Sequence, residues 1–150
     1  FQIKFGLTTL TEQWDPRKGN SWNHFMLGQI EEWLYQSLAG ILPDAEHPGF
    51  KHFFIQPELV GDLTFVKSSY KSNYGLIVSE WKKVNNKAVF TITIPANTSA
   101  TIKLPIQSGR IITINGITLQ QSKKVVHFDT KTTTSNLNLG SGSYVIESKL

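Results

Sequence analysis

KAVFTITIPANTSATIKL, residues 87–104, is the stretch that decides how this chain folds. Phe90, Ile92 and Ile94 alternate with Val89, Thr91 and Thr93, and further on Ile102 and Leu104 alternate with Thr101 and Lys103. A strand sends successive side chains to opposite faces, so a period of two reads as strands with one apolar face. Asn97-Thr98-Ser99 interrupts the alternation and reads as a strand turn. The same triplet matches a glycosylation sequon, a string short enough to arise by chance.

Outward from this stretch the pattern repeats. Asn85-Asn86 turns a hairpin that joins Leu76–Val84 to Lys87–Ile94. Asn115-Gly116, between Ile111–Ile114 and Ile117–Leu119, is a strong type I′ signal, because both central residues of that turn need positive φ. Further strands are expected at Lys51–Pro57, Leu63–Lys71, Val125–Asp129 and Ser143–Ser148, with Thr130–Ser135 as a polar turn. About eight short strands with regular turn signals and no helix between them predict a mostly β fold, an antiparallel β-sandwich.

Before residue 43 the character differs. In SWNHFMLGQIEEWLYQSLAG, residues 21–40, the residues Leu27, Ile30, Leu34 and Leu38, followed by Ile41, recur at helical spacing, and Phe25, Met26 and Trp33 widen the stripe. Ser21 or Asn20 is the expected N-cap, Gly40 the left-handed C-terminal residue, and Pro43 the block to continuation. The spacing predicts one long N-terminal helix of about 18 residues, roughly 27 Å. Its apolar surface is broad enough to need partners on more than one side, and Trp33 and Tyr35 are expected to pack in a core.

Bulk composition excludes several classes. With 150 residues, 39% hydrophobic and 11% aromatic, the chain can bury a core. The net charge of +4 comes from scattered lysines and only two arginines, Arg17 and Arg110, so nucleic acid is not an expected partner. No apolar run approaches the ~18 residues of a bilayer span, and no signal-peptide pattern is visible after Phe1. Cysteine is absent, which removes disulfides, thiolate ligands and a cysteine nucleophile. His47, His52 and His127 lack the spacing of a zinc site, so neither metal nor cofactor is expected.

TEQWDP, residues 11–16, crowds Glu12, Trp14 and Asp15 together. Acid and aromatic side chains suit a carbohydrate site, since sugars offer hydroxyls and apolar faces; they also suit a capped turn. Asp15, before Pro16, reads as a turn residue or the partner of a nearby donor. Glu31 and Glu32 diverge by about 100° on a helix and cannot share a substrate. Trp81, Tyr70 and Tyr74 are candidates for a sugar platform or for an interface plug.

Five blocks taken together carry a family resemblance: GLTTLTEQWDP from Gly6, SWNHFMLGQIEEWLYQSLAGI from Ser21, PGFKHFFIQPEL from Pro48, SSYKSNYGLIVSEWK from Ser68 and FTITIPANTSATIKLP from Phe90. In order and spacing they resemble the C-terminal part of bacterial α-L-rhamnosidases of the family-78 glycoside hydrolase type. The resemblance covers roughly two thirds of the chain. It implies that 1–44 is the end of an α/α-barrel catalytic domain, with the helix as its last, and that 45–150 is the β-sandwich domain. It also implies an inverting hydrolase that removes terminal α-L-rhamnose from glycosides or polysaccharides. The general acid would lie in a missing N-terminal part of the same polypeptide, leaving the 150-residue piece inactive alone. Glu12 falls where the family, in a pattern like T-T-x-W-E-x-W-D, carries its general base. His24 falls where the family contacts sugar, and Trp14 and Trp22 are candidate pocket walls. Thr11 stands in place of the usual tryptophan and Gln13 in place of the usual arginine, and the segment Asp15–Asn23 is short. A bacterial, periplasmic or secreted setting is favoured over a cytoplasmic one. Two alternatives stay open: a non-catalytic carbohydrate-binding or structural sandwich module, and an α/α-barrel hydrolase for another sugar.

Overall fold

Asn85 and Asn86 take φ of 48° and 60°, the type I′ geometry their side chains tolerate, and the turn they form launches the strand on which the sheet is built. The computed structural model describes residues 2–105, 111–119 and 135–150, together with the backbone of 128–129. The strands are β1 (Ile41–Pro43), β2 (His52–Ile55), β3 (Phe65–Ser72), β4 (Gly75–Val84), β5 (Lys87–Leu104), β6 (Ile112–Ile114), β7 (Ile117–Thr118), β8 (Phe128–Asp129) and β9 (Ser135–Lys149). The mostly β expectation holds. Both predicted hairpins form, the second with φ of 51° at Asn115 and 77° at Gly116.

The arrangement differs from the expected set of short strands. Residues 87–104 form a single strand, and its partner β9 starts at Ser135, well before the expected Ser143. The first half of β5 pairs with β4 and with the C-terminal half of β9; the second half pairs with β2 and with the N-terminal half of β9. Between them the register shifts: Ile94 faces Gly142 and Ser99 faces Gly140, so residues 95–98 stand opposite Ser141 alone. Asn97 sits there at φ 60° and the Thr98 hydroxyl donates to the Pro95 carbonyl at 2.7 Å. The predicted turn is therefore a bulge that bends a continuous strand. Buried residues from both halves, Phe90, Ile92 and Ile94 with Ala100, Ile102 and Leu104, join one apolar cluster with Phe53, Ile55, Trp81, Leu137 and Ile146. The pairing is not wholly antiparallel, because β2 runs parallel to β5. Of the expected strand Val125–Asp129, residues 125–127 lie outside the described residues, as do 130–134 of the expected polar turn.

The N-terminal helix is shorter and less regular than its spacing predicts. It runs over residues 25–38 as a 3₁₀ turn (Phe25–Gln29), an α-helical turn (Ile30–Trp33) and a π turn (Leu34–Leu38). Residues 21–24 run alongside 9–12, with the Ser21 carbonyl accepting from the Glu12 N–H at 3.1 Å; the helix begins at Phe25 and its N-cap is His24, not Ser21. Gly28 inside the first turn adds the entropic cost of an unbranched backbone. Ile41, read as part of the helical stripe, belongs to β1 opposite Ile55. The chain divides into two compact units, 1–34 and 35–150. Among the described residues no helix is long and apolar enough to cross a membrane.

In the second unit the end of the helix and the two residues after it are tied to the sheet and to the segment after β2 through four hydrogen bonds. The last carbonyls of a helix have no partner within it and must find one. Those of Ser37, Leu38, Ala39 and Gly40 accept, in turn, from the Glu58 N–H at 2.9 Å, the Trp81 indole N–H at 2.9 Å, the Ser79 hydroxyl at 2.5 Å and the Gln56 N–H at 2.8 Å. Gly40 takes the expected left-handed conformation, at φ 73°.

Candidate functional site

The predicted site residues lie in the first unit, on two segments that run side by side. The His24 N–H donates to the Leu10 carbonyl at 2.8 Å, the Glu12 N–H donates to the Ser21 carbonyl, and the Thr9 hydroxyl donates to the Trp22 carbonyl. These bonds bring the backbone of 9–12 alongside that of 21–24, so Glu12, Trp22 and His24 sit on neighbouring segments. Between them the loop is closed by the Trp22 indole N–H, which donates to the Pro16 carbonyl at 3.0 Å. Trp22 stays 62% exposed and Trp14 83% exposed, so both offer apolar faces. Thr11, where the family pattern has a tryptophan, is buried; its hydroxyl donates to the Gln13 carbonyl at 2.6 Å and accepts from the Gln2 amide at 2.5 Å.

The two carboxylates of the block are in opposite situations. Asp15 accepts from Arg17 Nε at 2.8 Å, from Arg17 Nη2 at 2.9 Å and from the Arg17 backbone N–H at 3.1 Å. The bond from the Arg17 side chain is the main cause that lowers its pKa to about 2. The Arg17 guanidinium in turn lies 5.2 Å from the centroid of the Phe5 ring. Asp15 is thus the turn residue and donor partner its position before Pro16 suggests. The Glu12 side chain is exposed, and among the described residues its carboxylate has no hydrogen-bond or ion-pair partner. Of the two, Glu12 has the carboxylate that is not engaged by a neighbouring side chain among the described residues.

Other candidates separate by burial. Trp81 is buried, with its indole N–H committed to the Leu38 carbonyl, so it cannot be a face of a sugar platform. Tyr70 packs against Phe50 at 4.8 Å between centroids and meets Tyr35 edge-on at 6.5 Å, while Tyr74 lies under the Lys51 ammonium. Trp33 and Tyr35, expected in a core, are 43% and 37% exposed within these 150 residues. Phe25, Met26, Leu27 and Ile30 are exposed as well, leaving an apolar stripe along the first turns. Glu31 and Glu32 open the α-helical turn and face outward.

One cluster was not anticipated. Asp44 Oδ2 lies 2.8 Å from His47 Nδ1 and 2.7 Å from His52 Nδ1. The bond to His47, then the Glu46 backbone N–H, lower the Asp44 pKa to about 2. The spacing of the histidines alone does not point to Asp44, which lies just past the proline that ends β1. His127 lies outside the described residues.

Comparison with known proteins matches both parts of the chain. The bacterial α-L-rhamnosidase C-terminal domain matches residues 40–116, and the bacterial α-L-rhamnosidase six-hairpin glycosidase domain matches residues 1–38. An α-L-rhamnosidase of Formosa agariphila is 35% identical over 94% of this chain, and one of Streptomyces avermitilis is 32% identical over 70%. The chain spans 15% and 11% of the lengths of these two relatives. Among solved structures, the α-L-rhamnosidase from Dictyoglumus thermophilum superposes with a TM-score of 0.81 at 25% identity, over 99% of this chain and 17% of its own. The Streptomyces avermitilis α-L-rhamnosidase complexed with L-rhamnose superposes with a TM-score of 0.76 at 26% identity, over 99% of this chain and 14% of its own.

Proposed function

The chain belongs to the bacterial α-L-rhamnosidase family, and from that premise we propose that it is part of a larger inverting α-L-rhamnosidase, to which it contributes the general base Glu12. The observation that carries this reading is the contrast between the two carboxylates of TEQWDP. Asp15 is tied to Arg17, whereas Glu12 is exposed and, among the described residues, unpaired, on a segment hydrogen-bonded alongside that of His24. An inverting hydrolase needs one carboxylate to take a proton from water as the water attacks the anomeric carbon. A second carboxyl group, roughly 6.5–9.5 Å away, protonates the departing glycosidic oxygen. Glu12 does the first task. The second falls to a residue outside these 150, so the isolated chain does not turn over.

His24 hydrogen-bonds a sugar hydroxyl, and Trp14 and Trp22, exposed on the same loop, cover the apolar faces of the ring. The apolar stripe of Phe25, Met26, Leu27 and Ile30 supports a neighbouring layer of helices, because a contiguous exposed apolar surface of this kind marks a face that something covers. The passage from barrel to sandwich falls within residues 35–44, where the helix ends and β1 begins. The substrate is a rhamnose-containing glycoside or polysaccharide, which suits a periplasmic or secreted enzyme. The sandwich-module reading is weaker, since burial of Trp81 breaks the aromatic row that it requires. The test is hydrolysis of p-nitrophenyl α-L-rhamnoside by the full-length protein and its Glu12→Ala variant. Loss of the base lowers turnover by about 10²–10⁴-fold; a well-folded variant with a near-normal rate sinks the assignment, and an inactive wild type removes rhamnose from it.

A further inference from the structure

We propose that Asp44, His47 and His52 form a binding site for a divalent cation of the zinc type, held by Asp44 Oδ2, His47 Nδ1 and His52 Nδ1. The proposal rests on the sheet unit alone and is independent of the hydrolase reading.

The three ligand atoms lie within 4.8 Å of one another. Two imidazoles and a carboxylate are the donors that zinc takes from proteins, at about 2.0–2.2 Å. Asp44 and His52 are already oriented. Asp44 follows β1 and starts a turn, with the His47 N–H donating to the Asp44 carbonyl at 3.1 Å. Its other carboxylate oxygen, Oδ1, accepts from the Glu46 N–H at 3.0 Å, which leaves Oδ2 as a single, directed ligand. His52 opens β2, and its outer nitrogen Nε2 is 3.1 Å from the Thr101 hydroxyl on β5. That hydroxyl donates its one proton to Asn138 Oδ1 on β9 at 2.7 Å, so it can only accept from His52.

The consequence is chemical. His52 Nε2 carries the proton, and in the neutral ring the Nδ1 lone pair is aimed at Asp44 Oδ2 from 2.7 Å. Contacts this short are bridged by a proton or by a metal ion, and with a second imidazole nitrogen 2.8 Å from the same oxygen a metal ion can take the place of the protons for all three donors at once. Histidines that bind metals donate their outer N–H to an oxygen in this way, which fixes the tautomer and raises the basicity of the ligand. A tetrahedral ion with bonds of about 2.0–2.2 Å sets its donors about 3.3–3.6 Å apart, so Asp44 Oδ2 steps back slightly from each ring nitrogen and the donors now up to 4.8 Å apart close in, a movement the largely exposed His47 side chain can make. The His47 side chain is largely exposed and that of Asp44 largely covered, so the cluster opens to solvent on the His47 side. All three residues line one surface cleft of about 460 Å³, together with Lys51, Asn97, Thr98 and Ser99. Lys51 is drawn to one side of the cleft, where its ammonium donates to the Asn97 carbonyl at 2.5 Å. Water completes the coordination, and the ion links the 44–47 turn to β2.

The test is calorimetric titration of the chelator-stripped full-length protein with zinc chloride, compared with His47→Ala, Asp44→Asn and Thr101→Val. The wild type binds one more equivalent than His47→Ala, whose altered side chain is largely exposed and leaves the fold in place. Asp44→Asn keeps the hydrogen-bonding shape but loses the charge, and weakens that site by about a hundredfold or more. Thr101→Val retains all three ligands and weakens it by about 10–100-fold, the effect of losing an outer-shell partner. Cobalt(II) at the same site gives the intense visible bands of tetrahedral coordination in the wild type and not in His47→Ala. No zinc uptake by the wild type, or equal uptake by His47→Ala and Asp44→Asn, overturns the proposal.

Discussion

Adding one methyl group at Gly40 tests how the helix is joined to the sheet. Gly40 has φ +73°, and a Cβ built on it would stand 2.2 Å from both Gln56 C and Pro57 N and 2.6 Å from Gln56 O. These are backbone atoms, so no rotamer change relieves the contact. The left-handed conformation alone costs an alanine about 1–2 kcal/mol. Forcing the two backbones apart adds a further ~1–3 kcal/mol, the usual cost of overpacking. The shift also strains the 2.8 Å bond from the Gln56 N–H to the Gly40 carbonyl. Gly40→Ala is therefore expected to lose about 2–5 kcal/mol in total. Gly49 supplies the control: its φ is +79°, yet nothing lies within 4 Å of its Cβ position, so Gly49→Ala carries only the conformational cost. Urea denaturation of both variants, followed by tryptophan emission, measures the difference. Equal losses for the two would refute the close approach of Gly40 to the Gln56–Pro57 backbone.

Two further predictions concern groups held by hydrogen bonds in the sheet unit. Trp81→Phe leaves the Leu38 carbonyl buried without its indole donor, and Ser79→Ala does the same to the Ala39 carbonyl; each costs about 1–3 kcal/mol in the same denaturation assay. The Asp44 pKa falls from 3.8 to about 2 on folding, so its contribution is full above pH 4 and disappears as the pH drops through 2. Thermal melts from pH 5 to pH 2 are expected to lose a component that Asp44→Asn lacks throughout.

The β part of the fold was legible because alternation and turn chemistry are local. Asn85-Asn86 and Asn115-Gly116 specify positive φ within two residues, and both hairpins form. The bend at 95–98 was not legible: a Pro-Ala-Asn-Thr interruption reads the same whether the strand ends or merely bulges, and only pairing with Gly140 and Gly142 decides. β1 was hidden because Ile41 continues the helical stripe, and its partner Ile55 is far along the chain. The helix start is not local: Ser21 is a good cap by type, yet 21–24 pair with the backbone of 9–12 and the helix begins only after His24. In the candidate site, the block containing Glu12 and the role of Asp15 as a turn residue could be read from adjacent residues. That Glu12 alone stays unpaired depends on Arg17 reaching Asp15, which composition does not foretell. The Asp44–His47–His52 cluster needed the turn after β1 and the first residue of β2 to be brought together.

The most direct measurement of the central claim is the product formed by the Glu12→Ala variant of the full-length protein from p-nitrophenyl α-L-rhamnoside in the presence of azide. Azide needs no general base, so it can take the place of the water that Glu12 would activate. The expected outcome is restored p-nitrophenol release together with a β-linked rhamnosyl azide, identified by proton NMR of the anomeric centre. A folded variant that hydrolyses the substrate at a near-normal rate without azide, or that yields only the α-linked azide, would contradict the assignment of Glu12 as the base of an inverting reaction.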